Sequence, residues 1–180
     1  MASSMQGKAP VEALDHEAAF RAAPLLRDFT PVGIRILAGA ASRRSVGRGT
    51  YAFRAGEPSV ALAIIARGTV QLLAREGGAP LGEVGPGDVL GGLSLLARGE
   101  HLVSALASTD VELLEIGAET FDGLRKTKPG ASLKLLMALA SDLAERLREA
   151  RGPLREFLAW QVSKRQGEVR GSRPGGQGLS

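Results

Sequence analysis

The hydrophobic pattern changes character twice along the chain. Over residues 11–41 apolar positions recur at helical spacing, and a new helix is predicted to begin at Thr30–Pro31, an N-cap followed by a favoured first helical residue. Over 45–116 the apolar runs are short and separated by glycines, which is typical of strands joined by tight turns. Helical spacing then returns, and a long helix is predicted over 131–150.

The central region favours one fold class. Strands are predicted within Val60–Ile65, Thr69–Leu73 and Val111–Ile116, and Val89–Ala97 is predicted as a short helix after a Gly-Pro-Gly-Asp turn. Many short strands with closely spaced turns indicate an antiparallel sandwich or barrel instead of alternating β-α-β units. The predicted class is α+β, mainly β: an antiparallel double-stranded β-helix or jelly roll (a β-roll) flanked by N- and C-terminal helices.

The long predicted helix carries an apolar stripe. Its members are Leu136, Leu139, Leu143 and Leu147. The stripe could pack on the β-structure of its own domain. Because the predicted helix is about five turns long, more than one small domain needs to cover, we expect these residues to contact a second copy of the chain or another protein.

Composition argues against an enzyme. Cysteine is absent, which excludes disulfides, thiolate metal sites and cysteine nucleophiles. The two histidines, His16 and His101, are far apart and lack clustered partners, so neither a metal site nor a catalytic residue is predicted. The cupins share a similar roll but supply several histidines to a metal, which this chain cannot do. No apolar run is long enough to span a membrane, and a cytoplasmic protein is expected.

The positive charge is confined to the C-terminal segment. The last thirty residues hold six Lys and Arg against two Asp and Glu, and this excess equals the whole net charge of +4. A basic tail is poor evidence for nucleic-acid binding by the folded body. The predicted organisation is a disordered start over 1–10, one domain over 11–150, a short basic helix over 151–166 and a flexible tail over 167–180.

Four glycine-punctuated segments carry a family resemblance. They are Tyr51–Glu57, Ile64–Val70, Leu81–Leu96 and Ala107–Ile116. In this order and spacing, with helices on both sides, they resemble the cyclic-nucleotide-binding domain of catabolite-activator-type regulators, protein kinase regulatory subunits and gated channels. The resemblance implies a regulatory or sensor module with this β-roll fold.

The resemblance also implies a ligand site at Gly91, Gly92, Leu93 and Ser94. The first amides of a helix have no intrahelical partner and attract a phosphate, and glycine lets a ligand approach the main chain. In the family a glutamate holds the ribose hydroxyl and an arginine neutralises the cyclic phosphate. These positions fall here on Gly92 and on His101, or on Leu102 if the loop differs by one residue.

Loss of both charged side chains should weaken cyclic-nucleotide binding. Each contact contributes roughly 1.5–3 kcal/mol, so their joint loss lowers affinity by about three orders of magnitude. The candidate ligand is therefore a cyclic nucleotide bound with relaxed recognition, or another small anion; no other cofactor is implied. The alternative is a ligand-free interaction or scaffold protein whose nucleotide pocket has degenerated.

The expected output is a contact with another protein. Catabolite-activator-type regulators carry a winged helix-turn-helix of roughly sixty residues after the long helix. Only thirty residues follow residue 150 here, and many of them are glycine. Sequence-specific DNA binding is therefore not expected, and the chain is predicted to act as a stand-alone module through protein partners.

Overall fold

The described part of the chain, residues 15–149 of a computed structural model, begins with short capped helices. The Thr30 hydroxyl accepts a hydrogen bond from the Gly33 amide at 3.2 Å, which confirms the predicted helix start at Pro31. Asp15 caps the preceding helix by accepting from the Ala18 amide at 3.1 Å. The elements are α1 (His16–Ala22), a 3₁₀ turn (Pro24–Leu26) and α2 (Pro31–Ala40).

The β-roll follows α2, and its strands pair antiparallel throughout. Within residues 15–149 they form two four-stranded sheets, ordered β1-β10-β4-β7 and β2-β9-β5-β6, and a two-stranded ribbon, β3-β8. The bounds are β1 (Ser42–Val46), β2 (Tyr51–Phe53), β3 (Pro58–Ser59), β4 (Ala61–Arg67), β5 (Val70–Leu73), β6 (Pro80–Val84), β7 (Val89–Leu90), β8 (Gly99–Glu100), β9 (Ser104–Ala107) and β10 (Val111–Gly117).

The pairing of β4 with β10 forms the centre of a sheet that is buried on both faces. Ile64 lies opposite Leu114, and Ile65 lies opposite Leu113. Because successive side chains point to opposite faces of a sheet, these two pairs contribute to different core clusters. The first pair packs with the helices and the second with residues from the other sheet. A sheet buried on both faces needs continuous apolar runs instead of alternation.

One predicted helix is only partly correct. Of the residues predicted as helix over 89–97, Val89 and Leu90 form β7, because they pair with Ile64 and Ala63 of the central sheet. Gly91, at φ +65°, then turns the chain, and α3 comprises only Leu93–Leu96.

The C-terminal helices are α4 (Ala118–Thr127) and α5 (Pro129–Glu149). On α5, Leu135 and Leu139 are buried in the same cluster as Phe20 and Phe121 of the N- and C-terminal helices. Helices on both sides of the β-roll therefore share one core. The antiparallel β-roll with flanking helices confirms the predicted fold class.

Two members of the predicted partner stripe are core residues. Leu139 is 5% exposed and Leu136 packs, partly buried, on the same cluster, because α5 turns this face toward its own domain. Leu133 and Met137, by contrast, are 60% and 62% exposed. The exposed apolar residues of α5 therefore include Met137, which the sequence did not single out.

The chain divides after Leu139 into two compact units. The described part of the second unit consists of the last turns of α5, where Arg146 Nε lies 2.8 Å from Asp142 Oδ2. In this unit Leu143 is half-buried and Leu147 is 40% exposed. The predictions for residues 1–10, 151–166 and 167–180 lie outside the described residues. None of the described helices combines the length and apolarity that a bilayer crossing requires.

Candidate functional site

The loop between β7 and α3 lies close to the edge of the central sheet. Gly91 occupies the left-handed region at φ +65°, and a Cβ atom placed there would lie 2.4 Å from the Ala61 carbonyl oxygen. That distance is too short for any side chain. The loop therefore depends on glycine for both its backbone conformation and its approach to β4.

Ser94 closes this loop from inside. Its side chain is 5% exposed, and its hydroxyl donates to the Gly91 carbonyl at 2.7 Å. Its amide donates to the same oxygen at 3.0 Å. Both contacts stabilise the turn, so this serine has a structural role here. Leu93, in the first turn of α3, is 42% exposed.

Gly92 places the loop in contact with α5. It precedes α3 with φ −56° and ψ −28°, so any residue could adopt this backbone conformation. A Cβ atom at Gly92 would lie 3.1 Å from Leu139 Cδ2 and 3.7 Å from Val89 Cγ1. Gly92, which the sequence predicts to occupy the family's glutamate position, therefore faces a leucine of the long helix. A longer side chain fits only if Leu139 moves by a few tenths of an ångström.

His101 lies against the same loop. Its ring stacks on Phe53 with 3.7 Å between centroids and 8° between planes, and its Cε1 lies 3.6 Å from where a Gly91 Cβ would be. Its amide donates to the Glu57 carbonyl at 2.8 Å, and its carbonyl accepts from the Gly56 amide at 2.9 Å. These two main-chain bonds fix the ring next to the loop.

Leu102 points away from this packing. It is 76% exposed, although the flanking His101 is partly buried and the nearby Ser104 is fully buried. Of the residues singled out from the sequence, Gly91 to Ser94 and His101 are brought together, and Leu102 is not. Leu139 was predicted as part of the partner stripe, and Phe53 and Glu57 lie in the Tyr51–Glu57 segment, but none of the three was assigned to this loop. No sequence signal placed them there, since they reach the loop from positions 30 or more residues away.

Arg54 borders this region, and its guanidinium is already paired with two glutamates. Arg54 Nε lies 3.2 Å from Glu76 Oε1, and Arg54 Nη1 lies 3.7 Å from Glu57 Oε1. Its guanidinium also covers the Tyr51 ring at 4.7 Å. These contacts hold the guanidinium among carboxylates, which makes it a poor substitute for the family's phosphate-binding arginine.

The electrostatics of the site favour an uncharged imidazole. Burial lowers the pKa of His101 below its usual 6.5, and the nearby Glu57 opposes this only in part. A neutral imidazole does not neutralise a phosphate. An anion bound next to the ring would raise its pKa and would itself bind more tightly at lower pH.

We expect the stability of the fold to depend on His101 near neutral pH. Because its pKa is lower in the folded chain, the unfolded chain takes up the proton first as the pH falls. The neutral His101 side chain therefore makes its full contribution to the free energy of unfolding above pH 6.5. This contribution is lost as the pH falls toward the folded-state pKa. Urea unfolding between about pH 7.5 and 5.5 should show a modest loss of stability.

The His101→Phe variant keeps a stacked ring but removes the titrating group, so its stability should change less over the same interval. Equal slopes for wild type and His101→Phe would contradict this assignment.

Comparison with known proteins agrees with this architecture. The model of the cyclic nucleotide-binding domain matches residues 43–128. The cyclic AMP receptor protein of Thermus thermophilus is 33% identical over 133 residues, which are 72% of this chain and 60% of that protein. The chain therefore spans less than two thirds of that relative's length.

Two solved structures extend the comparison. A cyclic nucleotide-binding-like protein from Brucella abortus is 30% identical with a TM-score of 0.54, and the match covers 62% of this chain and 98% of that one. The N-terminal domain of a transcriptional regulator from Streptomyces coelicolor is 26% identical with a TM-score of 0.63, covering 74% and 98%. By sequence match and by fold, this chain belongs to the cyclic nucleotide-binding domain family.

Proposed function

We propose that this chain is a regulatory module that acts by binding and not by catalysis. In this proposal a change in the conformation of the loop at Gly91–Ser94 moves α5, and α5 contacts a second copy of the chain. The loop therefore controls the formation of the dimer. The observation that carries the proposal is the exposed apolar face of α5, at Leu133 and Met137, on a helix whose opposite face is buried in its own core.

The spacing along α5 supports a helix partner. From Leu133 and Met137 the same alternation of four and three residues leads to Ala140, Ala144 and Leu147. A repeat of this kind is the pattern of a coiled-coil seam, in which small and large apolar residues of two helices interlock. A symmetric dimer requires only that the same face occurs on both copies.

The contact between Gly92 and Leu139 supports coupling of the loop to the helix. A Cβ at Gly92 would lie 3.1 Å from Leu139 Cδ2, so the loop and α5 are already in close packing. When two packed elements are in close contact, a small displacement of one moves the other with it. A ligand that displaced the loop would therefore displace this part of α5 and change how α5 presents its exposed face.

The proposed ligand is a cyclic nucleotide bound weakly, or another small anion. This follows from the predicted alignment, in which Gly92 stands at the family's glutamate position and His101 or Leu102 at its arginine position. The alternative, an interaction protein that responds to no ligand, is favoured by the stacking of His101 on Phe53, which fills space beside the loop without any ligand. Absence of binding by the wild-type chain to cyclic AMP, cyclic GMP and cyclic dinucleotides at millimolar concentration would favour the alternative.

Sedimentation equilibrium of the full chain tests the proposed function. The wild type is expected to dimerise, and the Leu133→Glu/Met137→Glu variant to be monomeric, because four carboxylates would meet at the seam. A Lys134→Glu variant is not a useful control, because Lys134 donates to the Asp28 carbonyl and lies over the Phe29 ring.

The matched control is Val32→Glu, which places a charge on a 60% exposed apolar residue of α2 and should leave the dimer intact. A wild-type monomer at all accessible concentrations would contradict dimerisation. If the Leu133→Glu/Met137→Glu variant still forms a dimer, the interface does not lie at Leu133 and Met137.

A further inference from the structure

A second concave surface lies on the side of α3 that faces α4. It is a cleft of about 180 Å³ between residues 94–98 on one side and Ala118, Phe121, Asp122 and Arg125 on the other. A second cavity of about 390 Å³ shares Asp122 and Arg125 with the cleft and is also lined, among the described residues, by Lys126. Both walls belong to the first compact unit of the chain.

The walls combine an apolar interior with a positively charged rim. Leu95 and Leu96 are half-buried and give the cleft its apolar surface, whereas Phe121, 3% exposed, lies beneath them in the core. Arg98, Arg125 and Lys126 are exposed at the surface, and Asp122 is the only carboxylate among the described lining residues.

Two of the three cations are available to a partner. Arg125 Nη1 lies 3.2 Å from Asp122 Oδ1 and is already paired. Within residues 15–149, neither Arg98 nor Lys126 has a hydrogen bond or ion pair through its side chain. Unpaired cations beside an apolar cleft complement a ligand that carries both carboxylates and apolar side chains.

We propose that the α3–α4 cleft binds a short acidic segment of a partner protein, in which one or two large apolar side chains enter between the helices and flanking carboxylates pair with Arg98 and Lys126. A peptide fits these observations better than a nucleic acid. The apolar interior offers nothing to a phosphate backbone, and Asp122 would repel one. The inference goes beyond the α5 dimer and requires neither a dimer nor a nucleotide.

Selection of short random peptides displayed against the immobilised full chain tests this proposal. The enriched peptides should combine Asp or Glu with Leu, Ile, Phe or Met. Synthetic copies, measured by fluorescence anisotropy, should bind the Arg98→Glu/Lys126→Glu variant at least about tenfold more weakly, because two favourable charge pairs become repulsive. Both residues are exposed and have no side-chain partner among the described residues, so the variant should fold, and a thermal unfolding curve checks this.

The matched control is Arg75→Glu, which reverses an exposed charge in the segment between β5 and β6 and should bind the peptides as the wild type does. Selection of peptides without acidic residues, or equal binding to wild type and the double variant, would overturn the proposal. So would loss of oligothymidylate binding in the double variant without loss of peptide binding, which would indicate a nucleic-acid surface.

Discussion

The Gly92→Glu/His101→Arg variant is expected to bind cyclic AMP or cyclic GMP at least about a thousandfold more tightly than the wild type. The glutamate would supply a charged acceptor for the ribose hydroxyl, and the arginine would supply a charged donor to the cyclic phosphate. His101 already lies against Gly91, so an arginine there would begin next to the loop. Titration calorimetry of both proteins measures the difference.

Sterically, the first substitution is tolerable. The added Cβ meets only Leu139 Cδ2 and Val89 Cγ1, and the nearer contact, at 3.1 Å, is the far end of a flexible side chain. The Gly92→Gln/His101→Gln variant imposes a similar bulk at position 92 without adding either charge, and it should gain no affinity. That comparison separates charge recognition from a change in loop shape.

The Gly92→Glu/Leu102→Arg variant tests the alternative alignment, in which Leu102 and not His101 occupies the family's arginine position. Leu102 is 76% exposed, so the substitution leaves the stack of His101 on Phe53 unchanged. A gain of affinity by this variant, and not by the one altered at His101, would assign the arginine position to residue 102. If both variants fold and neither gains affinity, the assignment of Gly92 to the glutamate position is wrong.

Gly91→Ala is expected to destabilise the fold by about 2–5 kcal/mol, the sum of a left-handed backbone for a non-glycine residue and a severe steric overlap. The overlap arises because the new Cβ would lie 2.4 Å from the Ala61 carbonyl oxygen, a main-chain atom of the central sheet. The loop and β4 must separate to relieve it. Urea unfolding measures the loss as a lower midpoint with an unchanged slope.

Gly56→Ala is the matched control. Gly56 has a similar left-handed φ of +85°, but no atom lies within 4 Å of the Cβ position. Gly56→Ala is therefore expected to lower the free energy of unfolding by about 1–2 kcal/mol, which is the effect of the left-handed backbone alone. Equal losses for the two variants would show that the close approach of the loop to β4 does not constrain the fold.

Much of the architecture is already evident in local sequence. The Thr30–Pro31 helix start depends on a side chain that accepts from an amide three residues later, and such a contact needs no tertiary information. Strand β4 appears as a nearly continuous apolar run because both faces of its sheet are covered. Strand β10 is interrupted by Glu112 and Glu115, which pair with Arg43 and Arg44 of the neighbouring β1. By contrast, Val89 and Leu90 were predicted to be helical, since a two-residue strand has too few residues to show a period.

The site itself depends on contacts between distant segments. Four of its residues, Gly91 to Ser94, are contiguous, and the sequence order therefore placed them together. That His101 stacks on Phe53 follows from the pairing of β3 with β8, which brings residues more than forty positions apart into register. No local pattern contains that pairing.

The face of α5 that packs inward was likewise settled by tertiary structure. Its sequence offers two apolar stripes, one through Leu136 and Leu139 and one through Leu133 and Met137, and helical periodicity alone allows either to be buried. Local sequence was therefore enough for the fold class and the strand-rich centre. Which leucines remain exposed depends on the tertiary structure, because burial is set by how α5 packs on the core and not by the spacing of its own residues.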